Sequence, residues 1–302
     1  MHLDDVDFRC LSIPNFRTEL GEGLLWDDRE QLLLMTDIIG QKLVVVDLKN
    51  LTQESFSFEE EVCWILMTNR RGVYLVGLGS GVIVFDTFKA KIQSRLDYSF
   101  PKERFNRLND ACVGPDGRVW LGSMHRHSQN MKTGRLASFK LDEGLKQHDF
   151  NFQITNGPIV TPNGLFLYVN DSAARVMYRY QMNATSDGVT RREIFVKFSQ
   201  EQGLPDGMCF DSEGHIWVAM WGAGAVIKLD QTGTIKAEYR LPAVNVTNVC
   251  FAGDLFDRLI VSSASILADE YVAEKNYGAG QLIEIIGHKS YGIKQCQAQI
   301  PR

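Results

Sequence analysis

The chain has 302 residues, 44% of them hydrophobic and 23% charged, with a formal net charge of -5. That length and composition supply a core large enough to fold without disulfides or a structural metal. The acidic balance, with Lys and Arg only in ones and twos as at Arg70-Arg71 and Arg191-Arg192, argues against a nucleic-acid surface. No apolar run reaches the length that spans a bilayer, and the N-terminus Met1-His-Leu-Asp-Asp-Val-Asp7 is acidic and lacks a signal core, so a cytoplasmic location is expected.

In chain order, Phe8-Arg-Cys-Leu-Ser-Ile13 reads as a strand ahead of an internal repeat. Repeat one opens at Glu22-Gly-Leu-Leu-Trp26 and ends near Val44-Val-Val-Asp47. Repeat two starts near Cys63 and ends near Val82-Ile-Val-Phe-Asp86. Repeat three is clearer: Asn109-Asp-Ala-Cys-Val113, the turn Gly114-Pro-Asp-Gly117, then Arg118-Val-Trp-Leu-Gly122 and Gly134-Arg-Leu-Ala-Ser-Phe139. Repeats four and five follow the same outline from Asn156-Gly-Pro-Ile-Val160 and Asp206-Gly-Met-Cys-Phe210. Repeat six starts near Thr247-Asn-Val-Cys-Phe251 and ends near Gln281-Leu-Ile-Glu-Ile285, interrupted by the long segment 267–276 at a candidate pocket rim.

The opening positions 22, 63, 109, 156, 206 and 247 lie 41 to 50 residues apart. Short β-branched and aromatic strands at that period predict an all-β, six-bladed β-propeller spanning 1–302 as one domain. Asn-Gly and Asp-Gly pairs supply the hairpin turns. The N-terminal strand is expected to become the outer strand of the last blade, removing two open edges. Cys63, Cys112, Cys209 and Cys250 fall inside apolar strand patterns. With no C-x-x-C pair among the six cysteines, they read as small buried hydrophobes.

In a propeller the first residue of each innermost strand lies near one mouth of the central channel. Glu22, Asn109, Asn156 and Asp206 therefore point at one place. Carboxylates aimed at one another repel unless a cation lies between them. The donors are oxygens, apart from Cys63, which favours a hard divalent ion, Ca²⁺ first with Mg²⁺ or Mn²⁺, over structural zinc. The competing reading is that Asn156-Gly157 and Asp206-Gly207 only shape turns.

These residues resemble the senescence-marker-protein/regucalcin/gluconolactonase family of six-bladed propellers. The resemblance rests on Gly21-Glu-Gly-Leu-Leu-Trp26, Arg104-Phe-Asn-Arg-Leu-Asn-Asp110, Thr155-Asn-Gly157, Leu204-Pro-Asp-Gly-Met-Cys-Phe-Asp211 and Gly278-Ala-Gly-Gln-Leu-Ile283, and covers nearly the whole chain. It implies a metal-dependent lactonase, hydrolysing a sugar lactone or related cyclic ester. Glu22, Asn156 and Asp206 would ligate one divalent ion, with Zn²⁺ also possible. Asn109 would lie beside the ion and the substrate, and Arg107 would hydrogen-bond substrate hydroxyls.

The ion is expected to polarise the ester carbonyl. Either Asp206 accepts the proton of the attacking water, or the ion lowers that water's pKa enough for direct attack. The chain departs from the family at Ala111, where Gly is common, at Leu24, where Pro is common, and in the loop His125-Arg-His-Ser-Gln-Asn130, where an acidic residue often contacts sugar hydroxyls. His125 of that loop is a candidate substrate contact. The His125/His127 pair also admits a solvated or zinc-binding reading. Trp221 either walls the pocket or packs between blades, while Asp110 and Asp171 are candidate supports behind the ligands.

The expected partner is a small lactone, acting on a monomer or small homo-oligomer. A calcium-binding protein without turnover, a docking propeller, and a strictosidine-synthase-like or luciferin-regenerating propeller are the other function classes.

Overall fold

The computed structural model describes residues 7–96, 98, 105–266 and 276–301. Its strands form six four-stranded antiparallel sheets, in the repeat order predicted from the sequence. Blade one is β2 (Gly21–Asp27), β3 (Leu32–Asp37), β4 (Lys42–Asp47) and β5 (Thr52–Ser57). Blade two is β6 (Val62–Met67), β7 (Val73–Leu78), β8 (Val82–Asp86) and β9 (Lys91–Leu96). Blade three is β10 (Asn106–Val113), β11 (Val119–His125), β12 (Gly134–Lys140) and β13 (Gly144–Phe152). Blade four is β14 (Thr155–Val160), β15 (Phe166–Asp171), β16 (Val176–Met182) and β17 (Val189–Lys197). Blade five is β18 (Leu204–Phe210), β19 (Ile216–Trp221), β20 (Ala225–Leu229) and β21 (Ile235–Arg240).

Blade six closes the ring. Its strands β22 (Val246–Ala252), β23 (Arg258–Ser263) and β24 (Ile283–Ile286) are completed by β1 (Asp7–Cys10), which pairs antiparallel with β24 from Asp7↔Ile286 to Cys10↔Ile283. Arg9 fastens the seam through its ion pair with Glu284 at 2.7 Å.

The burial pattern follows strand position. All residues of β6, β7 and β8 are buried, and they read as continuous apolar runs because both faces pack against neighbouring blades. The outer strand β9 keeps only Ile92 and Leu96 half-buried and exposes its polar residues to water. Between blades, Trp64, Trp120 and Trp217 are fully buried, and Trp217 stacks on Tyr239 with ring centroids 5.3 Å apart.

The C-terminal segment was not foreseen from the repeat. It runs beneath the propeller, from the blade-five turn (Ser212 N donating to Tyr291 O, 2.7 Å) to the blade-two turn (Asn69 N donating to Ala298 O, 3.0 Å). Ile293, Lys294, Gln295 and Cys296 line the channel at that end. The channel floor is thus built by this segment, and the opposite end carries the inner-strand starts.

The ring seam gives the first prediction. Deleting residues 1–10 exposes β24 as an unpaired edge and removes the Arg9–Glu284 contact. Even a loss of about 2 kcal/mol would lower Tm by roughly 3 °C for a chain of this length. Calorimetry should show that drop, with self-association in sedimentation; an unchanged Tm would mean that β1 does not hold the ring.

Candidate active site

Every inner strand breaks register at its opening position. The ladder shifts between Glu22 and Leu25, Leu108 and Ala111, Asn156 and Ile159, and Pro205 and Met208. A β-bulge bends the strand and re-aims the side chain at the break. Here it turns Glu22, Asn109, Asn156 and Asp206 into one open cavity, with Arg107 beside them. All four opening side chains are buried.

The residue after the opening position lies against the next blade. A Cβ on Gly157 would fall 2.6 Å from the Asp206 carbonyl oxygen, and one on Gly207 would fall 2.4 Å from Asn248 Cγ. Gly157 also takes φ of +51°, a region that disfavours side chains. At Gly157 backbone therefore approaches backbone, and at Gly207 backbone approaches the Asn248 side chain, which brings side chains of adjacent blades into contact. Asn156 Nδ2 donates to Asp206 Oδ1 and, at 3.3 Å, to Ser172 Oγ. Asn248 Nδ2 donates to Glu22 Oε2 at 3.2 Å. Asn170 Nδ2 donates to the Asp206 carbonyl at 2.7 Å. In blade three, Asp110 takes the place of glycine, and its Oδ2 accepts from Gly157 N at 2.9 Å.

Arg107 Nη1 donates to Asn109 Oδ1 and to the Leu108 carbonyl, each at 2.8 Å. Asn109 Nδ2 donates to the Thr155 carbonyl at 3.1 Å. The Asn109 carboxamide is thereby held on both sides.

Three carboxyl groups meet at this layer. Burial raises Glu22 well above the usual carboxylate range, and the charges of Asp206 and Asp110 raise it further. Burial, then the charge of Asp110, does the same to Asp206, which also shares a hydrogen bond with Glu22. Burial lifts Asp110 to about 6 against the pull of its Ala111 and Gly157 N–H donors.

This donor set fits a divalent cation. Two buried carboxylates and a carboxamide converge, and the guanidinium at the layer is tied to Asn109 and Leu108. Asn156 Oδ1 accepts from Gly157 N at 3.0 Å while its Nδ2 faces Asp206. Holding a cation requires that amide turned over, with its oxygen toward Asp206. The one sulfur at this layer, Cys63, is buried, and burial pushes its thiol up to about 12. It stays protonated at neutral pH, which leaves a hard oxygen site.

A second group of ligating atoms, Asp211, Glu213 and His215, gathers at the turn after β18. There Lys228 Nζ already lies 3.0 Å from Asp211 Oδ2, and Trp217 Nε1 donates to the same oxygen at 3.1 Å. An ammonium stands beside the carboxylate a cation would need.

Trp221 lines the cavity, as do Met124 of β11 and Gln129 of the loop that departs from the family pattern. His125 ends β11 outside the cavity lining, with its ring 5.9 Å from that of Phe105. Asp171 accepts from Gln153 N and Ile154 N, each at 3.2 Å, and so fixes the start of the strand that carries Asn156. In blade six the register breaks between Val246 and Asn248. Asn248 meets Glu22, whereas Thr247 donates its hydroxyl to the Gly21 carbonyl. Segment 267–275 lies outside the described residues. Among the described residues no helix is long and apolar enough to cross a membrane.

Fold and site together define a six-bladed propeller with an acidic, oxygen-lined pocket at one mouth. The family profile described as SMP-30/Gluconolactonase/LRE-like region matches residues 20–265, and the chain belongs to that family. It is 29% identical over 283 residues to a regucalcin of Danio rerio, covering 92% of this chain and 94% of that one. It is 30% identical over 263 residues to a pentonolactonase of Haloferax volcanii, covering 86% and 87%. Among solved structures, a luciferin-regenerating enzyme superposes with a TM-score of 0.89 at 23% identity, covering 98% of this chain and 100% of that one. That last likeness shows the fold alone.

The raised carboxyl groups predict a stability profile. Glu22 and Asp206 hold protons more tightly folded than unfolded, so the folded state binds more protons above the ordinary carboxylate value of about 4. Stability of the cation-free protein therefore falls as pH rises from there through the raised folded values. Asp206→Asn removes one of the opposed charges. At pH 8 without cation the variant should melt above the parent, and only the parent should gain Tm on adding Ca²⁺. The reverse order in thermal scans would contradict this electrostatic account.

Proposed function

We propose that the protein hydrolyses the ring ester of a sugar-derived lactone, with one divalent cation held by Glu22, Asn156 and Asp206. The observation that carries this reading is the convergence of two buried carboxylates and a carboxamide, beside a guanidinium, in a cavity open at one mouth. The lactonases among its relatives supply the reaction class. Ca²⁺ suits an all-oxygen set with open positions, with Mg²⁺ and Mn²⁺ as alternatives and Zn²⁺ less suited. When bound, such an ion supplies a Lewis acid for the ester carbonyl and a lowered pKa for the attacking water.

The chain's own residues do the rest. Arg107, anchored on Asn109 and Leu108, presents its remaining guanidinium edge to a substrate oxygen. Asn109, clamped by Arg107 and the Thr155 carbonyl, keeps that guanidinium in place. Asp206, as a carboxylate at the cation site, would accept the proton of the attacking water. Asn170, through its bond to the Asp206 carbonyl, keeps the carboxylate on station. The apolar walls exclude bulk water, which strengthens each of these electrostatic contacts.

The test is hydrolysis of five- and six-membered sugar lactones by cation-stripped protein, followed with a pH indicator. Adding Ca²⁺, Mg²⁺, Mn²⁺ or Zn²⁺ in turn should restore turnover with at least one ion. Asp206→Asn should lose roughly 10²-fold or more in kcat, the scale of a removed general base. Tight cation binding without turnover of any lactone would instead support a calcium-binding protein with no hydrolytic role.

A further inference from the structure

The polar groups of the cavity are nearly all committed. Glu22, Asn156 and Asp206 face one another, Ser172 accepts from Asn156, and Asn109 is held by Arg107 and Thr155. Among the described lining residues, Arg107, Gln129, the Ser172 hydroxyl and the Trp221 indole N–H remain to meet a ligand's hydroxyls, and Glu22 and Asp206 are the only carboxylates. The other described lining side chains are apolar, with Leu20, Ile38, Met124, Ile154 and Ile266 among them, and the Trp221 ring adds its faces.

Ile38, Met124 and Ile154 are buried, and Leu20, Trp221 and Ile266 carry the wall outward to the mouth. The apolar character continues past the rim. Ile39 in the β3–β4 turn, Phe105 before β10, Met131 in the β11–β12 loop and Tyr277 before β24 are 44%, 56%, 48% and 58% exposed. These connections all lie at the end of the blades where the inner strands begin, the same end as the cavity.

A fully hydroxylated sugar lactone carries a hydroxyl on most ring carbons. Each hydroxyl pressed unpaired against hydrocarbon costs about 1–3 kcal/mol. These few polar groups serve only some of them, whereas a hydrocarbon substituent gains by leaving water.

We infer that the lactone taken by this site is poor in hydroxyls and carries an alkyl or deoxy substituent, which lies along the wall formed by Ile38, Ile154 and Trp221. The inference rests on the lactonase reading above and narrows its substrate class. The carbonyl end of the ring faces the acidic layer and Arg107, and the substituent points up the apolar wall toward Ile266 and the mouth.

The experiment compares kcat/KM, in the cation-loaded protein, for three sets of lactones. These are gluconolactone and pentonolactones, unsubstituted δ-valerolactone, and δ-lactones bearing alkyl chains of one to six carbons at C5. The alkyl series should climb by about fourfold per buried methylene until the chain passes the mouth, and its best member should exceed the hydroxylated lactones by at least about tenfold. Trp221→Ala should flatten the chain-length dependence, mainly through KM, and Trp221→Leu should keep most of it.

Turnover of δ-valerolactone with hydroxylated lactones preferred over alkylated ones would overturn this inference while leaving lactone hydrolysis standing. A chain-length slope unchanged in Trp221→Ala would overturn the assignment of the wall. Failure on every lactone with the cation bound would overturn the lactonase reading itself, and this inference with it.

Discussion

Glu22 and Asp206 are two carboxylates that solvent barely reaches, with a third, Asp110, close enough for its charge to act on both. Burial alone would favour their neutral forms, and mutual repulsion adds to it. The nearby guanidinium of Arg107 is anchored through Nη1 on Asn109 and the Leu108 carbonyl. A fold that spends stability to hold like charges together is organised around something that binds them. The rest of the molecule follows from the need to keep these groups in place.

The propeller meets that need by close approach of its inner strands. Gly157 packs against the Asp206 carbonyl and Gly207 against Asn248, so neighbouring strands sit nearer than a side chain would permit. The bulges in the same strands turn the opening side chains inward. Tryptophans buried between blades lock the spacing from outside, and the C-terminal segment forms the floor. Ring closure by β1 matters to the site because Glu22 on blade one touches Asn248 on blade six, across the seam. An open ring would separate these two residues first.

Much of this was legible in the sequence because it is periodic. The repeat placed Glu22, Asn109, Asn156 and Asp206 at one level without any coordinates, and the turn glycines marked where strands reverse. Trp221 could not be assigned from pattern, since an aromatic at a strand end serves equally between blades or on a cavity wall. Asn248 was hidden behind Thr247 because a register break shifts the inward position by one residue, and periodicity does not record bulges. His125 looked functional from its H-x-H company, yet the cavity is lined by its neighbours Met124 and Gln129. The C-terminal segment carries no strand alternation, so its role in closing the channel could be seen only in three dimensions.

The central claim is that one cation at Glu22, Asn156 and Asp206 makes the site competent. The most direct measurement titrates cation-free protein with Mn²⁺ and reads occupancy by electron paramagnetic resonance and lactone turnover on the same samples. The account predicts one ion per chain, with the rate rising in proportion to occupancy. Turnover that is complete before any ion binds, or that ignores an ion once bound, would contradict it.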